Sequence, residues 1–183
     1  MTMKVDLQGL EELDKQLAQM ESDAGPFFQK MVKELAARLL AKVKKRTPVG
    51  TPPQDISEEV FETYWSGYVG GTLRRGWTAK TEAEAMNGHG DGMDIPTYLQ
   101  GVKVTKEGSD FNIVLINPVH YADYVEFGHR QKPGRFVPAL GKRLKASFVE
   151  GQYMLTISEK ELQGQIPSIL QQRLKTFLQG AFT

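Results

Sequence analysis

Apolar side chains recur every three or four residues in three places along the chain and alternate in a fourth. Leu10, Leu13, Leu17 and Met20 mark one face of an amphipathic helix. Gly25-Pro26 predicts a break after it, with Pro26 opening a new helix at its first position. Phe28, Met31, Val32, Leu35, Leu39 and Val43 then form the clearest helical stripe in the chain. Lys42, Lys44, Lys45 and Arg46 crowd its last turn, where cations complement the helix dipole. Thr47-Pro48 ends it, because proline disfavours helical geometry in the residue before it.

No clean period runs from Gly50 to Asp94. TPVGTPP is a loop, and ISEEVFETYWSGYVGG carries many aromatics, with Glu58, Glu59 and Glu62 read as a helix surface. Leu73 to Lys80 fits a strand, and the Gly-rich MNGHGDGMD, Met86 to Asp94, reads as a mobile loop. A hairpin follows. Val102 and Val104 alternate with Lys103 and Thr105, Glu107-Gly108-Ser109-Asp110 makes the turn, and Phe111, Ile113 and Leu115 resume the alternation. Tyr121 to Phe127 fits a helical turn or a strand, Pro138 to Ser147 a helix, and Tyr153 to Ile157 a strand.

The last helix is announced by Ser158 and Glu161, spaced as a capping box, with Ile157 and Leu162 placed as a hydrophobic staple. Pro167 predicts a kink or restart. Ile169, Leu170, Leu174, Phe177 and Leu178 continue the stripe towards Gly180. The resulting fold class is α+β: a small antiparallel sheet with N-terminal and C-terminal helices packed on it, forming one domain over residues 1–183.

Composition narrows the function classes. A chain of 183 residues with 40% hydrophobic content can bury a real core. The 23 basic and 22 acidic side chains leave a net charge of +1, which argues against a dedicated nucleic-acid binder. Cysteine is absent, so disulfides and thiolate metal sites are excluded. No apolar run approaches the roughly 18 residues of a membrane span, so no membrane partner is expected. Charges interrupt MTMKVDLQGLEEL, so this segment does not read as a signal peptide and synthesis in the cytoplasm is expected.

The motifs of catalysis are missing. His120 and His129 lack the short ligand spacing of a zinc site. His89, Asp91 and Asp94 lack the ligand order and bidentate glutamate of a calcium loop. Neither a G-x-S-x-G elbow nor a phosphate-binding G-x-x-x-x-G-K-[ST] loop occurs. The expectation is a protein without catalytic residues, metal or cofactor, working through interfaces.

Three groups of residues are interface candidates. Arg74 and Arg75 beside Trp77 are residue types that anchor interfaces, and they equally suit an ordinary strand. Tyr121, Tyr124 and Phe127 bring aromatic bulk near Glu126, Gly128, His129 and Arg130, and Gly128 allows a turn with positive φ. Arg130, Lys132 and Arg135 around Pro133-Gly134 add a positive loop, a composition that favours a subunit contact. Lys42, Lys44, Lys45 and Arg46 are candidates to face DNA, set against the plainer reading as a charged helix end.

Two stretches carry a family resemblance. KKRTPVG, from Lys44 to Gly50, resumes after an insertion of about Thr51 to Gly70 as GGTLRRGW, ending at Trp77. NPVHYADYVEFGHR, Asn117 to Arg130, continues into GRFVPAL, Gly134 to Leu140. Together they resemble the tail-completion, or head–tail joining, neck proteins of tailed phages. In that family a long N-terminal helix with a basic end precedes T-P-V-D-T-G-x-L-R-x-S-W, then Y-A-x-Y-V-E-F-G, a basic loop and an R-x-F-x-x-P-A-L stretch. Gly50 stands where the motif has aspartate, and Gly76 where serine is common. The C-terminal MLTISEKEL is similar to versions from contractile-tailed phages and defective prophages of Gram-positive bacteria.

The resemblance implies a structural protein of the virion neck, assembled in the host cytoplasm. It implies a self-associated ring, commonly a hexamer, that joins or completes the tail. Its partners would be head-closure or connector proteins on one side and tail tube or terminator proteins on the other, with DNA in the lumen. Two other readings accompany it: a tail terminator capping the tube, including in a headless tail-like particle, and a DNA-contacting packaging accessory.

Overall fold

In the computed structural model, which describes residues 8–78 and 101–181, the chain begins and ends in long helices. α1 (Gln8–Arg46) has 39 residues. The C-terminal α5 (Met154–Ala181) has 28 and packs against it. The pair is antiparallel: Phe27 lies against Phe177 with ring centroids 4.5 Å apart, Glu34 pairs with Arg173, and Lys42 and Arg46 both pair with Glu161.

Neither the break predicted at Gly25-Pro26 nor the restart predicted at Pro167 occurs. Pro26 lies inside α1 and Pro167 inside α5. Each proline removes one backbone donor and frees the carbonyl four residues earlier. Ser22 and Gln163 occupy those earlier positions, and all four residues are exposed, so water can serve the freed carbonyls. The apolar faces that the two helices bury against each other hold both helices continuous.

The core sits at the C-terminal end of α1. Ala36, Leu40 and Val43 pack there with Leu73, Trp77, Val102, Ala122 and Met154. Leu40, Val43 and Met154 are almost completely buried, worth roughly 1.5–3 kcal/mol each in removed apolar surface. Between the helices come α2 (Glu58–Tyr64) and α3 (Thr72–Gly76), then β1 (Thr105–Glu107) and β2 (Asp110–Asn112). α4 (Ala122–Phe127), β3 (Gly128–Arg130), β4 (Phe136–Val137), a 3-10 turn (Pro138–Leu140), β5 (Lys142–Arg143) and β6 (Phe148–Glu150) complete the order.

The fold is α+β, with the terminal helices flanking small antiparallel ladders. Among the described residues the ladders are three separate pairs: β1 with β2, β3 with β6, and β4 with β5. The hairpin predicted around Glu107 to Asp110 is present, in the register Thr105↔Asn112, Lys106↔Phe111 and Glu107↔Asp110. Tyr121 to Phe127 resolves into the helical alternative, α4.

Three local expectations are corrected. Leu73 begins no strand; α3 forms there, opened by Gly71 at φ 95°. Pro138 to Ser147 is not a helix but a 3-10 turn followed by β5. Tyr153 to Ile157 is not a strand, because α5 begins at Met154. Ser158 therefore lies one turn inside α5, buried, and donates its hydroxyl to the Met154 carbonyl at 2.6 Å instead of capping the helix. The Met86 to Asp94 loop, with His89, Asp91 and Asp94, lies outside the described residues.

Candidate subunit interface

The first motif closes on itself. Trp77 is 5% exposed and donates its indole N–H to the Thr47 hydroxyl at 2.8 Å. That hydroxyl donates in turn to the Val43 carbonyl at 2.7 Å, within the end of α1. Arg74 forks onto the Thr47 carbonyl through Nε and Nη2 at 3.0 and 2.6 Å, satisfying an acceptor that the helix leaves over. Trp77 and Arg74 thus use their polar groups inside the protomer, while Arg75 is exposed and donates to the Gly70 carbonyl.

Gly76, where the family pattern favours serine, has a local cause. A Cβ there would lie 2.5 Å from the Asn117 side-chain oxygen. Asn117 is pinned, donating to the Leu73 carbonyl at 2.9 Å and accepting from the Val119 amide at 3.2 Å. Asn117 was not among the sequence candidates, and its only signal was its place at the head of the NPVHYADYVEFG stretch.

The second motif builds the junction of α4 with α5. Glu126, a predicted interface residue, is 6% exposed. Its two oxygens accept from the Leu155 amide at 3.0 Å, the Thr156 amide at 2.9 Å and the Thr156 hydroxyl at 2.8 Å. These amides belong to the open first turn of α5, so Glu126 caps the C-terminal helix from a distant part of the chain. Gly128 has φ 83° and ψ 174°, a region essentially reserved for glycine. Tyr121 and Ala122 face the core, and burial raises the Tyr121 phenol above its ordinary value.

What the motif leaves outside is aromatic and basic. Tyr124 and Phe127 are each 59% exposed. The Tyr124 ring lies 5.6 Å from the His129 ring, whose buried Nδ1 has no hydrogen-bond partner among the described residues. From Gly128 the chain runs out and back to Glu150 as a hairpin arm. The β3–β6 ladder forms its base, Gln131 donates to the Ser147 carbonyl, Gly134 donates to the Leu144 carbonyl, and β4–β5 leads to the 3-10 tip. Arg130 and Arg135 are exposed on this arm, as are Phe136 and Phe148.

The segment between the two halves of the first motif braces the arm tip. Ser57 caps α2 by accepting from the Val60 amide at 3.3 Å. From this platform Trp65 donates its indole N–H to the Ala139 carbonyl at 2.6 Å, and Asp55 pairs with Lys142. That lysine holds the Asp55 carboxyl below its ordinary range. Trp65 and Asp55 carried no sequence signal for this role, since their partners lie more than 70 residues away.

The basic cluster at the end of α1 is partly committed. Lys42 and Arg46 both pair with Glu161 of α5, and the Glu161 carboxyl is held below its ordinary range, mainly by the Arg46 hydrogen bond. Lys45 is exposed and Lys44 half-buried. Among the described residues no group of three His, Asp or Glu side chains is placed to hold a metal, and no helix is long and apolar enough to cross a membrane.

No curated protein and no solved structure matches the chain significantly. A family model described as "Bacteriophage HK97-gp10, putative tail-component" matches residues 11–128, from the first helix through the first motif and into the second as far as Gly128. That span covers more than half of the 183 residues and takes in Thr47, Arg74, Trp77 and Glu126, so the chain belongs to the HK97-gp10-like family of phage tail components.

Proposed function

We propose that this protein is a structural component of the virion neck that forms a ring of identical subunits and joins or completes the tail at the head–tail interface. It works by binding, not catalysis. Family membership supports a structural tail role and a place in the virion. The observation that carries the finer reading is the division of labour within the motifs. Thr47, Arg74, Trp77 and Glu126 are used to fix the scaffold, whereas Tyr124, Phe127, Arg130, Arg135 and Phe136 are left on the outside. Exposed aromatics and arginines on a rigid support are the composition of a protein interface.

Subunits in a closed ring meet through two different patches, one on each side. The remaining ring faces then serve head-closure or connector proteins and the tail tube or terminator. Deleting the gene and imaging the particles by negative-stain electron microscopy tests this. Filled heads beside separate tails of normal length are the expected result. Overlong or unfinished tubes would assign the chain to tail termination instead, and normal particles would refute a neck role.

A further inference from the structure

We propose that the outer face of one copy's hairpin arm docks on the acidic outer face of α2 of the next copy. This rests on the ring reading above and specifies its contact. The ladder register separates the two faces of the arm. Side chains directly opposite in an antiparallel pair share a face, and successive ones alternate. Lys142 and its partner Val137 lie on the face that meets α2, where Lys142 pairs with Asp55. Phe136 and its partner Arg143 therefore lie on the other face, with the guanidinium 6.0 Å from the ring centre. At the arm base Arg130 stands opposite Phe148. All four side chains are exposed, Phe136 by 49% and Phe148 by 48%. Each ladder thus presents an arginine beside a phenylalanine, two residue types enriched at interfaces.

Charge selects the occupant. From Gly128 to Val149 the chain carries six cations and no acid. Arg130, Lys132, Arg135 and Lys145 are exposed and have no carboxylate partner among the described residues. Residues 51–70 have the reverse composition, four acids and no cation. Asp55 is used on the protomer's own Lys142. Glu58, Glu59 and Glu62 are exposed and have no cationic partner among the described residues. Glu58 and Glu62, four residues apart, share one face of α2, and Glu59 lies three residues from Glu62 beside them. Phe61, 38% exposed, neighbours Glu58 on the same side. Val60 points the other way, and its methyl group would lie 3.7 Å from a Cβ on Gly141 of the arm tip. Glu58 and Glu59 suit the first turn of α2, but Glu62 stands in its last turn, where the helix dipole disfavours an acid and no basic residue offsets it. A cation arriving from outside does so. The first half of α1 is acidic too, but Lys15 lies among its acids and Gln19 already bonds Asp23.

The two patches do not meet within one copy. The arm tip and α2 are already joined by their inner faces, through Trp65 with the Ala139 carbonyl and Asp55 with Lys142. Phe136 and Arg143 on one side, and Glu58 and Glu62 on the other, therefore point away from each other. A contact of one copy's arm with another's α2 leaves the first α2 and the second arm open, which is the heterologous pattern that closes into a ring.

The chain has no cysteine, so single cysteines report the contact without background. Purified Ser147→Cys on the arm and Thr63→Cys on α2, mixed and treated with a flexible bismaleimide, are expected to give a linked mixed pair. Adding Arg130→Glu and Arg135→Glu to the first variant should cut the yield about tenfold or more, because like charges then face each other, with helical circular dichroism unchanged. Adding Glu58→Lys and Glu62→Lys to the second should restore it, whereas Glu12→Lys with Asp14→Lys should not. Glu58→Gln with Glu62→Gln, which keeps the shape of both side chains, should lower the yield against the unaltered arm. The proposal is overturned if the mixed pair is no more abundant than with a Ser168→Cys control, if reversing the arm leaves the yield unchanged, or if reversing α1 restores it as well as reversing α2. It is also overturned if the arm reversal abolishes retention of duplex DNA and α2 reversal gives no rescue, which would assign the arm to nucleic acid. Failure of the linkage, with heads and tails still unjoined in the deletion, sinks the contact and spares the neck reading. Normal particles in the deletion sink both.

Discussion

Trp77 and Thr47 are joined by a buried 2.8 Å hydrogen bond across 30 residues of sequence. Residues 48–76 separate them along the chain and leave them adjacent in space. The T-P and L-R-x-x-W halves of the first motif are therefore two sides of one structural joint, where α1 stops and α3 turns back onto it.

That joint predicts a pattern of coupling. Trp77→Phe keeps most of the bulk but leaves the Thr47 hydroxyl with one partner fewer, and Thr47→Val leaves the indole N–H buried without an acceptor. Each should destabilise the fold by about 1–3 kcal/mol in urea unfolding. The double variant should cost less than the two singles added, because the second change removes a group already unpartnered. Additive losses would show that the bond contributes nothing of its own.

Glu126 predicts a local effect at a remote site. Glu126→Gln turns an amide N–H₂ towards donors that need an acceptor, and Glu126→Ala removes the acceptor entirely. Losses of about 1–3 kcal/mol are expected for the first and at least as much for the second. Amide hydrogen exchange at Leu155 and Thr156 should accelerate more than exchange at Leu40. Uniform acceleration along the chain would mean that Glu126 supports the fold generally and does not cap α5.

The long elements and the hairpin were legible because each carries its own periodicity. The stripe from Phe28 to Val43 lies in α1, and the alternation about Gly108 lies at β1–β2. Boundaries set by distant partners were not legible. Ser158 with Glu161 has capping-box spacing, yet the cap of α5 comes from Glu126, and Glu161 reaches across to Arg46. Pro26 and Pro167 are local helix breakers overruled by the packing of one helix on the other. Of the site candidates, Tyr124, Phe127, Arg130 and Arg135 lie on the surface as interface residues must, while Trp77, Arg74 and Glu126 have internal partners. Residue type alone does not separate an anchor for another subunit from an anchor for the chain's own fold.

Gly128→Ala tests the crossing of α4 and β3 with β6. At φ 83° a side chain is strained, and a Cβ would meet the Val149 carbonyl oxygen at 2.4 Å and the Gly151 amide at 2.8 Å. Both obstacles are backbone, so no rotamer change relieves them. Strain and overpacking each cost of order 1–3 kcal/mol, and a loss of at least about 2 kcal/mol is expected in denaturant unfolding. A Gly108→Ala control also sits at positive φ, but with open space around it, and should lose less. Equal losses would assign the whole effect to backbone strain and none to the close approach.

The ion pairs between α1 and α5 predict how stability responds to acid. Arg173 holds the Glu34 carboxyl below its ordinary value of 4.5 by a hydrogen bond, with Arg38 adding to this and burial opposing it. Arg46 and Lys42 do the same for Glu161. A carboxyl whose folded pKa is depressed binds its proton more readily in the unfolded chain, so its contribution is complete above about pH 4.5 and is lost as pH falls through the folded pKa. Glu34→Gln combined with Glu161→Gln should therefore melt at a lower temperature than the parent at pH 7, with the two converging as the pH drops below 4.5. Salt should narrow the gap at pH 7, because these pairs are largely solvent-facing and screened. A gap that stays constant from pH 7 to pH 3 would mean that the charges do not couple the two helices, leaving Phe27 against Phe177 and the apolar faces as the whole of the attachment.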